Sequence, residues 1–249
     1  MVRNPATDEM PGRVSPGFVK LASICAFFTA LTTLVVHWVP RLWEGANSFD
    51  AQVKLQGNPI YMARLWIVLL HCVLVVISMA AIPGLLAGKS KLIALFGFGC
   101  YIMFAFIETL RTSLSIFAVN RAWRAGYEIA TDESKRTAFR NAIESFSGIN
   151  DALFFLFDLA FLLGLTCYGL ALLSNSGSDQ RIVWLFLIWA VLTLPAVLAA
   201  AIGNNSLAAP FDWVGLYFLP LARSVVGIWL WSQAGRSLSS ALDHQPSTS

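Results

Sequence analysis

The stretch Leu65-Trp66-Ile67-Val68-Leu69-Leu70-His71-Cys72-Val73-Leu74-Val75-Val76-Ile77-Ser78-Met79-Ala80-Ala81-Ile82-Pro83-Gly84-Leu85-Leu86-Ala87-Gly88 decides the fold. It holds no formal charge from end to end. At 1.5 Å per residue, about 20 residues of α-helix cross a hydrocarbon core about 30 Å thick. Lipid offers no partner to free N–H and C=O groups, so a run of this kind must be helical.

Five more runs have the same character, which places spans at 21–39, 65–88, 92–119, 152–173, 182–203 and 213–233. The first, second and fifth carry no formal charge; Glu108 and Arg111 interrupt the third, Asp158 the fourth and Arg223 the sixth. The sequence therefore predicts an all-α integral membrane bundle of six transmembrane helices within residues 21–236. A polar N-terminal segment, 1–20, precedes it, and a disordered polar tail, 237–249, follows. The first span is not read as a cleavable signal, because His37-Trp38-Val39-Pro40 follows it in place of a small-residue cleavage site.

The connection at 120–150 is long and rich in both signs of charge. Thr131-Asp132-Glu133 reads as a helix start, and Ala138, Phe139, Ala142, Ile143 and Phe146 recur at helical spacing. This predicts an amphipathic helix between the third and fourth spans, lying at the interface or extending the fourth. Its charges are read as a solvated face.

Composition agrees with a membrane protein. Hydrophobic residues make up 57% and charged residues 12%, about half the share usual in soluble domains. A net charge of +3, with no basic stripe, argues against a nucleic-acid partner. Cys25, Cys72, Cys100 and Cys167 each sit in an apolar run without CxxC spacing, so they read as small buried hydrophobes. The compact Gly88-Lys89-Ser90-Lys91 turn and the N-terminal Arg3, Arg13 and Lys20 favour a cell (inner) membrane location with both termini cytoplasmic.

The interior charges are the main functional clue, because a charge near the bilayer centre costs about 2.5–3.5 kcal/mol on insertion scales. Alternating topology brings His71, Glu108, Asp158 and Arg223 to similar depth, measured from the side of the long connections. Arg111 lies one turn from Glu108 on the same face. Asp158 and Glu108 are the candidate acid/base carboxylates. His71 is a candidate proton acceptor, and Arg111 and Arg223 are candidates for holding an anion or for ion pairing. Arg64 and Asp151 are peripheral candidates, with Asp151 sharing a face with Asp158 at a seven-residue spacing.

Several chemistries are disfavoured. No lysine lies inside a span for Schiff-base formation, and no Glu-x-x-His pair suggests a di-iron bundle. His37 at the exit end of the first span and His71 about two turns inside the second do not suit paired haem ligation. HExxH, Walker A and GxSxG motifs are absent. No cofactor and no metal site are expected. An internal inverted repeat is not evident.

With its polar connection between the third and fourth spans, the layout resembles small six-helix bacterial membrane families. Around Glu108-Thr109-Leu110-Arg111 and Asn150-Asp151-Ala152-Leu153-Phe154-Phe155, however, no defined motif matches residue by residue, so no function is carried over. Three functional classes follow from the residues. The first is a bilayer-embedded protein whose buried charged pocket binds a small-molecule or lipid-like ligand or relays protons. The second is a membrane enzyme using carboxylate acid/base chemistry on a lipid or isoprenoid-like substrate. The third is an accessory subunit that docks a partner membrane subunit and whose charges only pair its helices. A carboxylate that lines a cavity without a basic partner argues against the third.

Overall fold

The computed structural model describes residues 14–43, 48–175, 177–203, 210 and 213–242. Among them there is no strand. Helix α1, Pro16–Trp38, leads through a 3₁₀ turn and short α2, Phe49–Lys54, into α3, Pro59–Gly84. Helix α4, Gly88–Leu114, continues as a π-helical segment, Ser115–Arg124, and then α5, Ala125–Ile129. Next come α6, Glu133–Leu173, and α7, Gln180–Ile202. A second π segment, Val214–Phe218, opens α8, Leu219–Leu242. Six of these stretches are long and apolar enough to cross a membrane: Pro16–Leu42, Pro59–Gly84, Gly88–Ile129, Glu133–Leu173, Gln180–Ile202 and Val214–Arg236.

The helix boundaries follow from local chemistry. Ser15 caps α1 through the Phe18 N–H, with Pro16 in the first turn, where its missing N–H leaves no bond unmade. Asn58 and Pro59 do the same for α3. Asp132 caps α6 and Asp179 caps α7. Gly203, at φ +67, ends α7 in the left-handed conformation that glycine adopts without penalty.

The amphipathic helix expected between the third and fourth spans does not stand as a separate element. Residues 133–150 are the first turns of α6, a single helix of 41 residues. At 1.5 Å per residue α6 is about 60 Å long, roughly twice a hydrocarbon core. Its N-terminal half stands beside α2 and α5, where Arg140 covers the Phe49 ring at 4.8 Å and Arg136 covers the Tyr127 ring at 4.6 Å. At the other end of the chain, α8 runs to Leu242, into the segment expected to be a polar tail. Residues 243–249 of that tail and 1–13 of the N-terminal segment lie outside the described residues.

The six long helices form a ring in the order α8–α1–α3–α4–α6–α7, and the join between α7 and α8 is the sparsest. The α4–α6 join is close because glycine faces glycine. A Cβ on Gly97 would lie 2.9 Å from the Cys167 Cβ and 3.3 Å from the Gly164 carbonyl. A Cβ on Gly164 would lie 2.9 Å from the Tyr101 ring. Small residues let membrane helices approach in this way. The Gly84/Gly88 pair has other roles: a Cβ on Gly84 would fall on Val14, and Gly88 turns the chain at φ +54. Gly164→Val should therefore force α4 and α6 apart and destabilise the bundle by about 1–3 kcal/mol. A thermal melt in mild detergent reads this directly, and an unchanged midpoint would refute the close packing.

On the N-terminal side the ring is filled. Tyr101, Tyr168, Phe186 and Trp189 are fully buried, and Tyr101 stacks on Tyr168 with ring centroids 5.3 Å apart. The Tyr168 hydroxyl donates to the Met79 carbonyl at 3.0 Å, which ties α6 to α3. On the side of the long connections the ring is hollow.

Candidate functional site

All six long helices contribute to a cavity of about 410 Å³ inside the ring. Thr33, Val36 and His37 come from α1, and Arg64, Val68 and His71 from α3. Helix α4 gives Phe104, Glu108 and Arg111, and α6 gives Phe154, Phe157, Asp158 and Phe161. Leu192, Thr193 and Ala196 of α7 meet Val214, Gly215, Leu219 and Arg223 of the last span. The volume falls within the ordinary range for small-molecule sites, and so does the lining, which is mainly apolar with a few polar groups.

The candidate residues read from the sequence divide clearly. His71, Glu108, Arg111, Asp158, Arg223 and Arg64 line this cavity, whereas Asp151 is exposed on the outside of α6 and does not. Glu108 and Arg111 form a two-pronged pair: Arg111 Nε donates to Glu108 Oε2 at 2.7 Å, and Nη2 donates to Oε1 at 2.6 Å. The third prong, Nη1, donates to Asn150 Oδ1 at 3.0 Å. Fork-to-carboxylate geometry of this kind is the strong form of an ion pair. Arg64 Nε donates to the Val36 carbonyl at 3.1 Å, bridging α3 to α1.

Asp158 and Arg223 do not pair. Asp158 is 9% exposed and has no hydrogen-bond or ion-pair partner among the described residues. Arg223 is 3% exposed, and its Nε and Nη1 are buried without a hydrogen-bond partner. Its guanidinium lies 5.5 Å from the Trp189 ring centroid, a cation–π contact that leaves its donors unmatched. Unpaired buried charges are rare because each is expensive.

His71 is held by α1. Thr32 Oγ1 lies 2.7 Å from His71 Nδ1 and 2.9 Å from the Phe28 carbonyl, so the direction of the Thr32–His71 hydrogen bond follows the tautomer of the ring.

No protein-family model, curated protein or solved structure matches the chain.

Among the polar residues of this region that the sequence does not single out are His37, Arg124, Asn120 and Asn150. His37 was set aside as a residue at a helix exit, yet it lines the cavity, and Gly215 lets the second π segment close on it, since a Cβ there would lie 2.8 Å from the ring. The signal was available: Thr29, Thr33, Val36 and His37 recur on one face of α1. Arg124, Asn120 and Asn150 fell in a connection read as a solvated charged face. Instead, Arg124 is 8% exposed, and its Nη1 donates to Asn120 Oδ1 at 2.9 Å and to the Tyr61 hydroxyl at 3.3 Å. Asn120 Nδ2 in turn donates to the Ser115 carbonyl at 2.6 Å across a π turn. Among the described residues no three His, Cys, Asp or Glu side chains come together as a metal site.

Proposed function

We propose that this protein is a multi-pass membrane protein of the binding or transport class, whose central cavity holds a small or lipid-like ligand. One observation carries the reading: Asp158 and Arg223, both buried and unpaired, line one cavity. Charges that serve only the fold are paired, as Glu108 is paired with Arg111 within α4 and Arg111 is tied to Asn150 of α6. Leaving one carboxylate and one guanidinium open is favourable when a third body supplies the partners. Arg223 would take an oxyanion and Asp158 a cationic or hydroxyl-bearing group. The aromatic wall of Phe104, Phe154, Phe157 and Phe161 would cover an apolar body. The chain would lie in the cell membrane with both termini cytoplasmic, the side favoured by Lys89 and Lys91 in the tight α3–α4 turn.

Blocking the hollow tests this. The full chain is purified in mild uncharged detergent and its bound small molecules are identified by mass spectrometry, beside an Ala196→Phe variant that fills the cavity from α7. Wild type should carry a stoichiometric molecule, and the variant should carry at least about tenfold less with unchanged helicity. Wild type without any bound molecule, or equal occupancy in both, would refute the reading.

A further inference from the structure

A second cavity, of about 320 Å³, adjoins the first on the side of the long connections. The two share a wall made of Arg64, Val68, Arg111 and Phe154. Arg111 belongs to both, gripping Glu108 of the inner cavity with two N–H groups and Asn150 of the outer with a third. The charge of the outer cavity is one-sided: Arg64, Arg111 and Arg124 line it, and no Asp or Glu among the described residues does. Glu108 neutralises Arg111, but neither Arg64 nor Arg124 has an acidic partner among the described residues. Arg124 Nε is buried without a hydrogen-bond partner. This arginine is set by the π segment of α4, and π turns cluster at functional sites. The second π segment opens the last span and lines the inner cavity through Val214 and Gly215.

We infer that the outer cavity is an anion-collecting antechamber of the inner one, so that the ligand carries a carboxylate or phosphate. Arg124 and Arg64 draw the oxyanion in, Arg111 stands in the partition, and Arg223 holds the oxyanion at the far end. The inference rests on the reading that the inner cavity binds a ligand, and it adds the ligand's charge and its path. Planar guanidinium groups suit both oxyanions, and a basic funnel raises the association rate more than the final affinity.

Ser147 lines the outer cavity from α6 and is exposed, which makes it a place to alter charge with little risk to the fold. The test measures binding of octanoate, octyl phosphate and inorganic phosphate to the full chain in uncharged detergent. Stopped-flow tryptophan emission gives rates and native mass spectrometry gives occupancy, for wild type, Ser147→Glu and Ser147→Lys. The expected result is association with an octyl anion slowed about fivefold or more by Ser147→Glu and not by Ser147→Lys, with the dissociation rate unchanged. The difference should vanish at about 0.5 M salt, where screening acts over a few ångströms. Binding of the octyl anions alone supports an amphiphilic ligand, and binding of inorganic phosphate supports a free anion; either, together with the slower association of Ser147→Glu, supports the antechamber. Binding with equal rates in the two Ser147 variants overturns the antechamber and leaves the inner site standing. No binding of any probe by either readout overturns both.

Discussion

Glu108→Gln is expected to destabilise the protein by about 3 kcal/mol, the loss typical of stranding one partner of a buried ion pair. The carboxylate takes two N–H groups of Arg111 at 2.7 and 2.6 Å, and it is nearly sealed from outside. A neutral amide keeps one acceptor for Arg111 but turns an N–H group toward its second donor and leaves the guanidinium charge unbalanced in a mainly apolar wall, with Asn150 as the other acceptor. For a chain of this size the melting midpoint should fall by roughly 8 °C. The double variant Glu108→Gln with Arg111→Met should recover most of that loss, because it removes the stranded charge together with its lost partner. Melts of wild type, single and double variants in one detergent check the claim. A single variant that melts within about 2 °C of wild type would show that the pair contributes little.

Asp158→Asn should behave in the opposite way. No partner is stranded when this carboxylate is neutralised, because it has none among the described residues. The midpoint should stay level or rise, while occupancy by the co-purified molecule or an anionic amphiphile falls about 10- to 100-fold. A hydrogen bond to a charged group is worth about 1.5–3 kcal/mol, which sets that range. Asp151→Asn, on the exposed face of α6, should change neither quantity. The pair of outcomes separates two roles for buried charge: Glu108 and Arg111 as part of the fold, tied through Asn150 to α6, and Asp158 and Arg223, on the proposed function, as groups for a ligand. Occupancy unchanged by Asp158→Asn would return Asp158 to the first role.

The residues explain which parts of this were legible in the sequence. Six apolar runs stand out because lipid demands about 20 uncharged residues in a row. Against that background Glu108, Arg111, Asp158, Arg223 and His71 are conspicuous, and counting residues from the long-connection side placed them at one level. Which charges would pair was not legible. Glu108 and Arg111 meet within a single helix, but whether Asp158 would reach Arg223 depends on the width of the ring, and no sequence period encodes that. Beyond the spans the reading weakened. Residues 133–150 have the composition of a surface helix, and their pattern leaves open whether they lie at the interface or extend the fourth span, as α6 does. Arg124 looks solvated in sequence because its charge is ordinary for a loop. Its burial comes from the π segment, a shift of hydrogen-bond register that hydrophobic periodicity does not record.

The sparse join between α7 and α8 has a mechanical meaning. Among the described residues five joins of the ring are broad and one is narrow, as in a clasp, so this is where the ring would part at the least loss of packing. The fastening is small: Trp189 meets Phe218 edge-on at 6.3 Å, and Arg223 sits over the same indole. An aromatic contact of this kind is worth about 1 kcal/mol. The guanidinium that closes the clasp is also the one left open to the cavity. On the proposed function, an oxyanion that takes Arg223 would compete with the Trp189 face for it, so that holding a ligand would loosen the same join.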